Sequence, residues 1–240
     1  MEERPDFLPA WLGLGELFLD QGRLDELDQV VQNLNSLPSL LLVPSVVNEG
    51  LLLKARALLA RKEYDPARMI LEEVNATNPR WIYPRVILSH VLLHDGKDLA
   101  AAERVLREIV DLDPGQTESW RNLAVLFRHQ GNLAQAAGIC RSARMHCPQD
   151  IDLLLFQGIV LRESGEHPEA EGCLIGVVSS QWPAASKKLE QCRIEARHQL
   201  ALLYLATGRF AEAEAQWREV LVECPDHRPA QNGLQCLHRQ

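Results

Sequence analysis

Trp120-Arg121-Asn122-Leu123-Ala124-Val125-Leu126-Phe127-Arg128-His129-Gln130-Gly131-Asn132-Leu133-Ala134-Gln135-Ala136-Ala137-Gly138-Ile139-Cys140-Arg141-Ser142-Ala143 is the stretch whose reading decides the fold. Trp120, Leu123, Ala124 and Phe127 recur at helical spacing, and Leu133, Ala136, Cys140 and Ala143 do so again after Gly131. Apolar residues at this spacing line one face of a helix, so the segment reads as two amphipathic helices joined at a glycine. Pro148 then ends the second helix, because proline has no amide hydrogen and restricts the residue before it.

The same pattern returns downstream in Leu154, Gly158, Leu161, Gly165, Ala170 and Leu174, and again in Leu200, Ala201, Tyr204, Gly208, Phe210, Ala213, Trp217, Val220 and Pro225. Weaker copies stand upstream. They are carried by Trp11, Leu14, Gly15, Phe18, Gly22, Leu24 and Leu27; by Ala55, Leu58, Tyr64, Ala67, Leu71 and Pro79; and by Leu88, Ser89, Leu92, Gly96, Leu99, Ala102, Leu106 and Pro114. The equivalent residues Leu27, Ala67, Ala102, Ala136, Ala170 and Ala213 lie 40, 35, 34, 34 and 43 positions apart. A period of this length marks a stacked-repeat architecture.

Each recurring residue has a physical cause. Gly15, Ala55, Ser89, Ala124, Gly158 and Ala201 are small where the first helix must approach its neighbour closely. Gly22, Gly96, Gly131, Gly165 and Gly208 suit the left-handed backbone that ends a helix, and Lys62 stands at that place once. Prolines at 38, 79, 114, 148 and 225 close second helices, whereas Pro66 and Pro168 fall in first turns, where proline is tolerated.

This pattern resembles the tetratricopeptide repeat. The resemblance implies an all-α fold, a right-handed α-solenoid of antiparallel helix pairs whose concave face is built from first helices. The register predicts one array over residues 1–240, with repeats at about 8–38, 48–79, 82–114, 117–148, 151–183 and 184–225, and a capping helix at 229–239. Arg4-Pro5-Asp6-Phe7-Leu8-Pro9-Ala10-Trp11-Leu12-Gly13-Leu14-Gly15 and Glu212-Ala213-Glu214-Ala215-Gln216-Trp217 also resemble repeat segments attached to bacterial family 2-type glycosyltransferases.

Two insertions break the period. The first passes through Ser36-Leu37-Pro38-Ser39 and Leu40-Leu41-Leu42-Val43-Pro44, an apolar stretch placed to lengthen the following helix. The second contains Trp182-Pro183, a natural helix start, and predicts a first helix about two turns longer than its counterparts. Residues 3–10 match residues 223–230, the tail of one repeat entering another, so the expectation is a chain cut from a longer protein or opening on a degenerate repeat.

Composition narrows the function. The formal charge is −8 and the pI about 5.5, which gives no attraction for phosphate backbones or anionic lipid. Nucleic acid and membrane partners are therefore not expected. The start lacks a basic, apolar leader, and six cysteines from Cys140 to Cys236 show no Cys-x-x-Cys spacing. Free thiols and a cytoplasmic location follow as expectations.

Binding is expected on the first helices, one position past each packing residue. These positions are Leu12, Glu16 and Leu19; Leu52, Arg56 and Leu59; Val86, His90 and Leu93; Arg121, Val125 and Arg128; Leu155, Ile159 and Arg162; and His198, Leu202 and Leu205. Apolar residues beside four arginines suit a protein or peptide partner with apolar anchors and acidic groups. Two alternatives stay open: the arginines are solvated or pair internally with Glu118, Asp152 and Glu163, and the groove serves self-association.

Catalytic and cofactor patterns are missing. His90 and His94 stand four apart, but without the glutamate of the zinc-protease motif or an evident third ligand, so no metal and no cofactor is expected. Asn122 alone matches the two-carboxylate clamp or the asparagine ladder of other repeat families. The expectation is a non-enzymatic scaffold, with the repeat region of a larger transferase as the second reading.

Overall fold

The computed structural model describes residues 8–35, 44–180 and 187–238. Among them are thirteen α-helices and no strand. The chain divides into two compact units, Met1–Asp113 and Pro114–Gln240.

The first unit holds α1 (Leu8–Asp20), α2 (Leu24–Asn35), α3 (Pro44–Ala60), α4 (Tyr64–Thr77), α5 (Ile82–Asp95) and α6 (Leu99–Leu112). The second holds α7 (Thr117–His129), α8 (Leu133–His146), α9 (Ile151–Ser164), α10 (His167–Ser179), α11 (Lys187–Ala206), α12 (Phe210–Glu223) and α13 (Arg228–Leu237). Within each unit consecutive helices pack on one another, and first helices also touch first helices: α1 with α3, α3 with α5, α7 with α9, and α9 with α11. Each unit is thus a solenoid of helix pairs with its first helices drawn together.

The turn chemistry is repeated. Gly22, Gly96, Gly131, Gly165 and Gly208 all adopt φ between 69° and 84°, and Lys62 adopts φ 62° in the equivalent place. Asp98, Asn132 and Asp150 then cap α6, α8 and α9, each accepting a backbone amide hydrogen bond three residues on. Such caps satisfy donors that the first turn leaves open.

The core is the repeated set. Leu27, Ala67, Ala102, Ala136, Ala170 and Ala213 are all 0% exposed, as are Ala55, Ala124 and Ala201. Gly15 and Gly158 show why that last position is small. A Cβ on Gly15 would overlap Leu53 Cδ2, and one on Gly158 would meet Leu174 Cγ at 2.8 Å.

Helix lengths reflect the insertions. α3 has 17 residues and α11 has 20, against 13 in α7 and 14 in α9. The apolar stretch at 40–43, Pro38, Trp182-Pro183 and Arg239 lie outside the described residues, as do residues 1–7. All six cysteines are free, with Cys140 and Cys192 buried and Cys236 exposed. No described helix is long and apolar enough to cross a membrane.

Candidate functional site

The first-helix face of the second unit carries half of the sequence-predicted residues. Val125 on α7, Leu155 and Ile159 on α9, and Leu202 and Leu205 on α11 are half-buried. They are neither core residues nor freely solvated ones. Beside them runs a chain of polar contacts across the three helices. Arg128 donates to Glu163 in a two-pronged pair, Nε to Oε2 at 2.5 Å and Nη2 to Oε1 at 2.7 Å. Arg162 lies 3.5 Å from the same carboxylate and donates through Nε to Gln199 Oε1 at 2.9 Å. Gln199 in turn donates to Glu195 at 2.7 Å.

This ladder answers the question the sequence left open about the arginines. Hydrogen bonding to Arg128 holds the Glu163 carboxyl below the usual carboxylate range, with burial opposing it. In the first unit Arg56 on α3 likewise pairs with Glu16 on α1. Arg121 lines a hollow of about 180 Å³ with Thr117, Glu118, Asp150, Asp152, Leu153 and Lys188. There the Asp152 carboxylate pairs with Lys188 and accepts from the Cys192 thiol at 3.1 Å. Three of the four arginines thus meet acceptors of this chain, and the fourth stands near carboxylates.

One predicted residue is corrected: Leu52 is 4% exposed and belongs to the core, where α3 packs against α1, α2, α4 and α5. His198 is half-buried, and its Nδ1 accepts the Trp217 indole N–H at 3.1 Å. The neighbouring residue, Gln199, carries the polar ladder instead. Sequence register passed over Gln199 and Glu195, since neither differs in kind from an ordinary solvated helix residue.

The remaining candidates lie in the first unit. Leu12, Val86 and His90 are half-buried, as are Leu19, Leu59 and Leu93. Trp120 and Trp217, read as packing residues, are 8% and 0% exposed. Among the described residues no group of three or more His, Cys, Asp or Glu side chains is placed to hold a metal ion. Burial pushes the Cys140 thiol up to about 12, and burial together with the Asp152 hydrogen bond does the same for Cys192. Both are protonated at neutral pH, a poor state for a nucleophile.

Comparison with known proteins agrees with this geometry. Residues 92–151 and residues 193–223 each match a tetratricopeptide repeat family. The chain is 26% identical over 141 residues to the protein O-mannosyl-transferase Tmtc3 of Drosophila melanogaster, a stretch covering 59% of this chain and 15% of that one. It is similar in fold to Pseudomonas aeruginosa pilF, with a TM-score of 0.64 and 14% identity over 94% of this chain and 95% of the other. YrrB, described as a TPR protein with an unusual peptide-binding site, gives a TM-score of 0.61 at 12% identity, covering 78% of this chain and 91% of YrrB. A chain of the APC/C hetero-tetramer Cut9–Hcn1 gives 0.61 at 16% identity over 98% of this chain and 44% of its own length.

Proposed function

We propose that this chain, a tetratricopeptide-repeat protein and hence of a fold suited to protein-interaction scaffolds, holds a peptide or helical segment of a partner against its first helices without catalysing a reaction. The observation that carries the reading is the half-buried apolar row Val125, Leu155, Ile159, Leu202 and Leu205. Half-buried aliphatic side chains flanked by a fixed polar ladder resemble the anchor-and-rim layout of a recognition groove. YrrB, similar in fold, is described as having a peptide-binding site.

The partner's chemistry follows from the ladder. An acidic segment has to displace Glu163 from Arg128 or Glu16 from Arg56, so acidic character adds little, and apolar anchors dominate. Arg121 is the remaining place for a partner carboxylate. A cytoplasmic setting and association with a second copy remain within the same reading.

The test is retention of partners by the intact protein. Leu155→Ser with Ile159→Ser should lose retained proteins while far-UV helicity stays unchanged, and Met145→Ser, 82% exposed on the second helix α8, should lose none. Equal retention by the wild type and both variants sinks the assignment. Arg121→Glu should weaken capture more than Arg128→Glu.

A second reading rests on the similarity to an O-mannosyl-transferase, of which the matched stretch is only 15%. In that reading the array is the non-catalytic repeat region of a larger transferase, recruiting substrate or bringing subunits together. Immunoblotting of the native protein decides it: a species well above 27.0 kDa supports it, and one at 27.0 kDa counts against it.

A further inference from the structure

The last helix, α13, is seated through two histidines that act as hydrogen-bond acceptors. His198 accepts the Trp217 indole N–H at Nδ1, 3.1 Å away. His227, the residue before α13, accepts the Ala230 backbone N–H at its own Nδ1, 3.2 Å away, and so caps that helix. Both donors are N–H groups that offer no lone pair, so each ring carries its proton on Nε2. The two rings meet edge to face with centroids 5.3 Å apart. Beneath them Trp217 is 0% exposed, and α13 sits close upon it: a Cβ on Gly233 would lie 2.5 Å from the indole Cζ2.

We propose that α13 is an acid-released cap, and that protonation of His198 loosens it from α11 and α12 and uncovers Trp217. A proton on His198 Nδ1 sets donor against donor at a buried indole, whose lost hydrogen bond has a full desolvation cost. His227 caps the ten-residue α13, which is too short to hold itself together unaided, and its ring lies edge to face with His198, so a charge on His198 falls beside that cap.

The surroundings set the direction. Burial, the first cause, holds His198 below its ordinary value of 6.5. Glu195 on the same helix favours the charged ring, whereas His227 and Arg162 from α9 oppose it, and α12 presents the uncharged indole. His227 is flanked in sequence by Asp226 and Arg228. Because the folded value lies below the unfolded one, the stabilisation is complete above pH 6.5 and is lost as pH falls. His238 lies 3.3 Å from Glu214 at the far end of α13.

The test is amide hydrogen exchange of the intact chain at pH 7.5 and 5.5, corrected for intrinsic rates, with the amides of α12 as internal reference. The wild-type α13 should lose protection relative to α12 at the lower pH, by at most about tenfold, the limit for one ring whose unfolded value is 6.5. In His198→Gln the indole keeps an acceptor and nothing titrates at that place, so the relative loss should nearly vanish. His198→Asn serves the same purpose if the glutamine variant folds poorly. Equal wild-type protection at both pH values, or an undiminished loss in either variant, overturns the proposal.

Discussion

Arg128 and Glu163 tie α7 to α9 by two parallel hydrogen bonds, with the arginine 36% and the glutamate 23% exposed. The parallel geometry fixes both side chains, but partial exposure limits what the pair contributes. Glu163→Gln should cost about 0.5–1 kcal/mol at neutral pH in urea unfolding. The folded Glu163 lies below its ordinary 4.5, so the contribution is present above that value and lost as pH falls through the folded one. The wild type and the variant should therefore converge in stability on acidification. The same substitution frees Arg128, and binding of an acidic peptide should strengthen.

Lys62 is the one non-glycine among the described residues with positive φ, at 62°. A side chain in that backbone region costs roughly 1–2 kcal/mol, because Cβ crowds the carbonyl oxygen. Lys62→Gly should recover about 1 kcal/mol of this, less the larger entropy of the unfolded glycine. A thermal shift of about 2–4 °C upward is expected if the chain unfolds in one step. An unchanged or lower midpoint would show that the Lys62 turn is not strained.

Lys62 also shows what the sequence made legible. The other five turns carry glycine, and the repeat spacing alone demands the same backbone at position 62. The period likewise places the small residues, since Gly15 and Gly158 sit against leucine side chains that leave no room for a methyl. The candidate site was less readable. Register gives Leu52 on α3 and Leu155 on α9 the same place, yet Leu52 is 4% exposed and Leu155 half-buried. Register also assigns roles by position, whereas His198 is claimed by an indole on α12 and Gln199 by an arginine on α9. Such partners come from other helices and depend on side-chain reach, which spacing does not encode.

The close approach at Gly158 gives a paired prediction. Alanine there puts a methyl 2.8 Å from Leu174, which is 0% exposed. Overpacking of this kind costs about 1–3 kcal/mol. Helix propensity returns at most about 1 kcal/mol, so Gly158→Ala should destabilise. Gly138, inside α8, has nothing within 4 Å of the place an added Cβ would take. Gly138→Ala should instead stabilise by about 0.5–1 kcal/mol. Opposite signs in denaturant midpoints are the expected result, and the same sign for both would contradict the packing argument.

Arg209 joins three helices. Its guanidinium lies 4.1 Å over the Tyr204 ring of α11 and donates to Glu171 of α10 at 2.8 Å and to Glu212 of α12 at 2.7 Å. Tyr204 completes the cluster by donating its hydroxyl to Glu171 at 2.9 Å. Lysine at 209 keeps the charge but loses the planar fork and the stacking, so Arg209→Lys should lower the denaturant midpoint rather than behave as a conservative change. Burial, and then the hydrogen bond to Glu171, push the Tyr204 phenol up to about 12. The neutral phenol is the form the fold favours, so its contribution is full below the ordinary value of 10 and fades as pH rises through the folded one. Glu171→Gln removes the charge of the acceptor but leaves an amide oxygen that still accepts from the phenol, and burial is unchanged. Alkaline titration of the phenolate absorbance should then find Tyr204 ionising at lower pH than in the wild type, though still above its ordinary value. An unshifted titration would mean that the Glu171 charge contributes nothing.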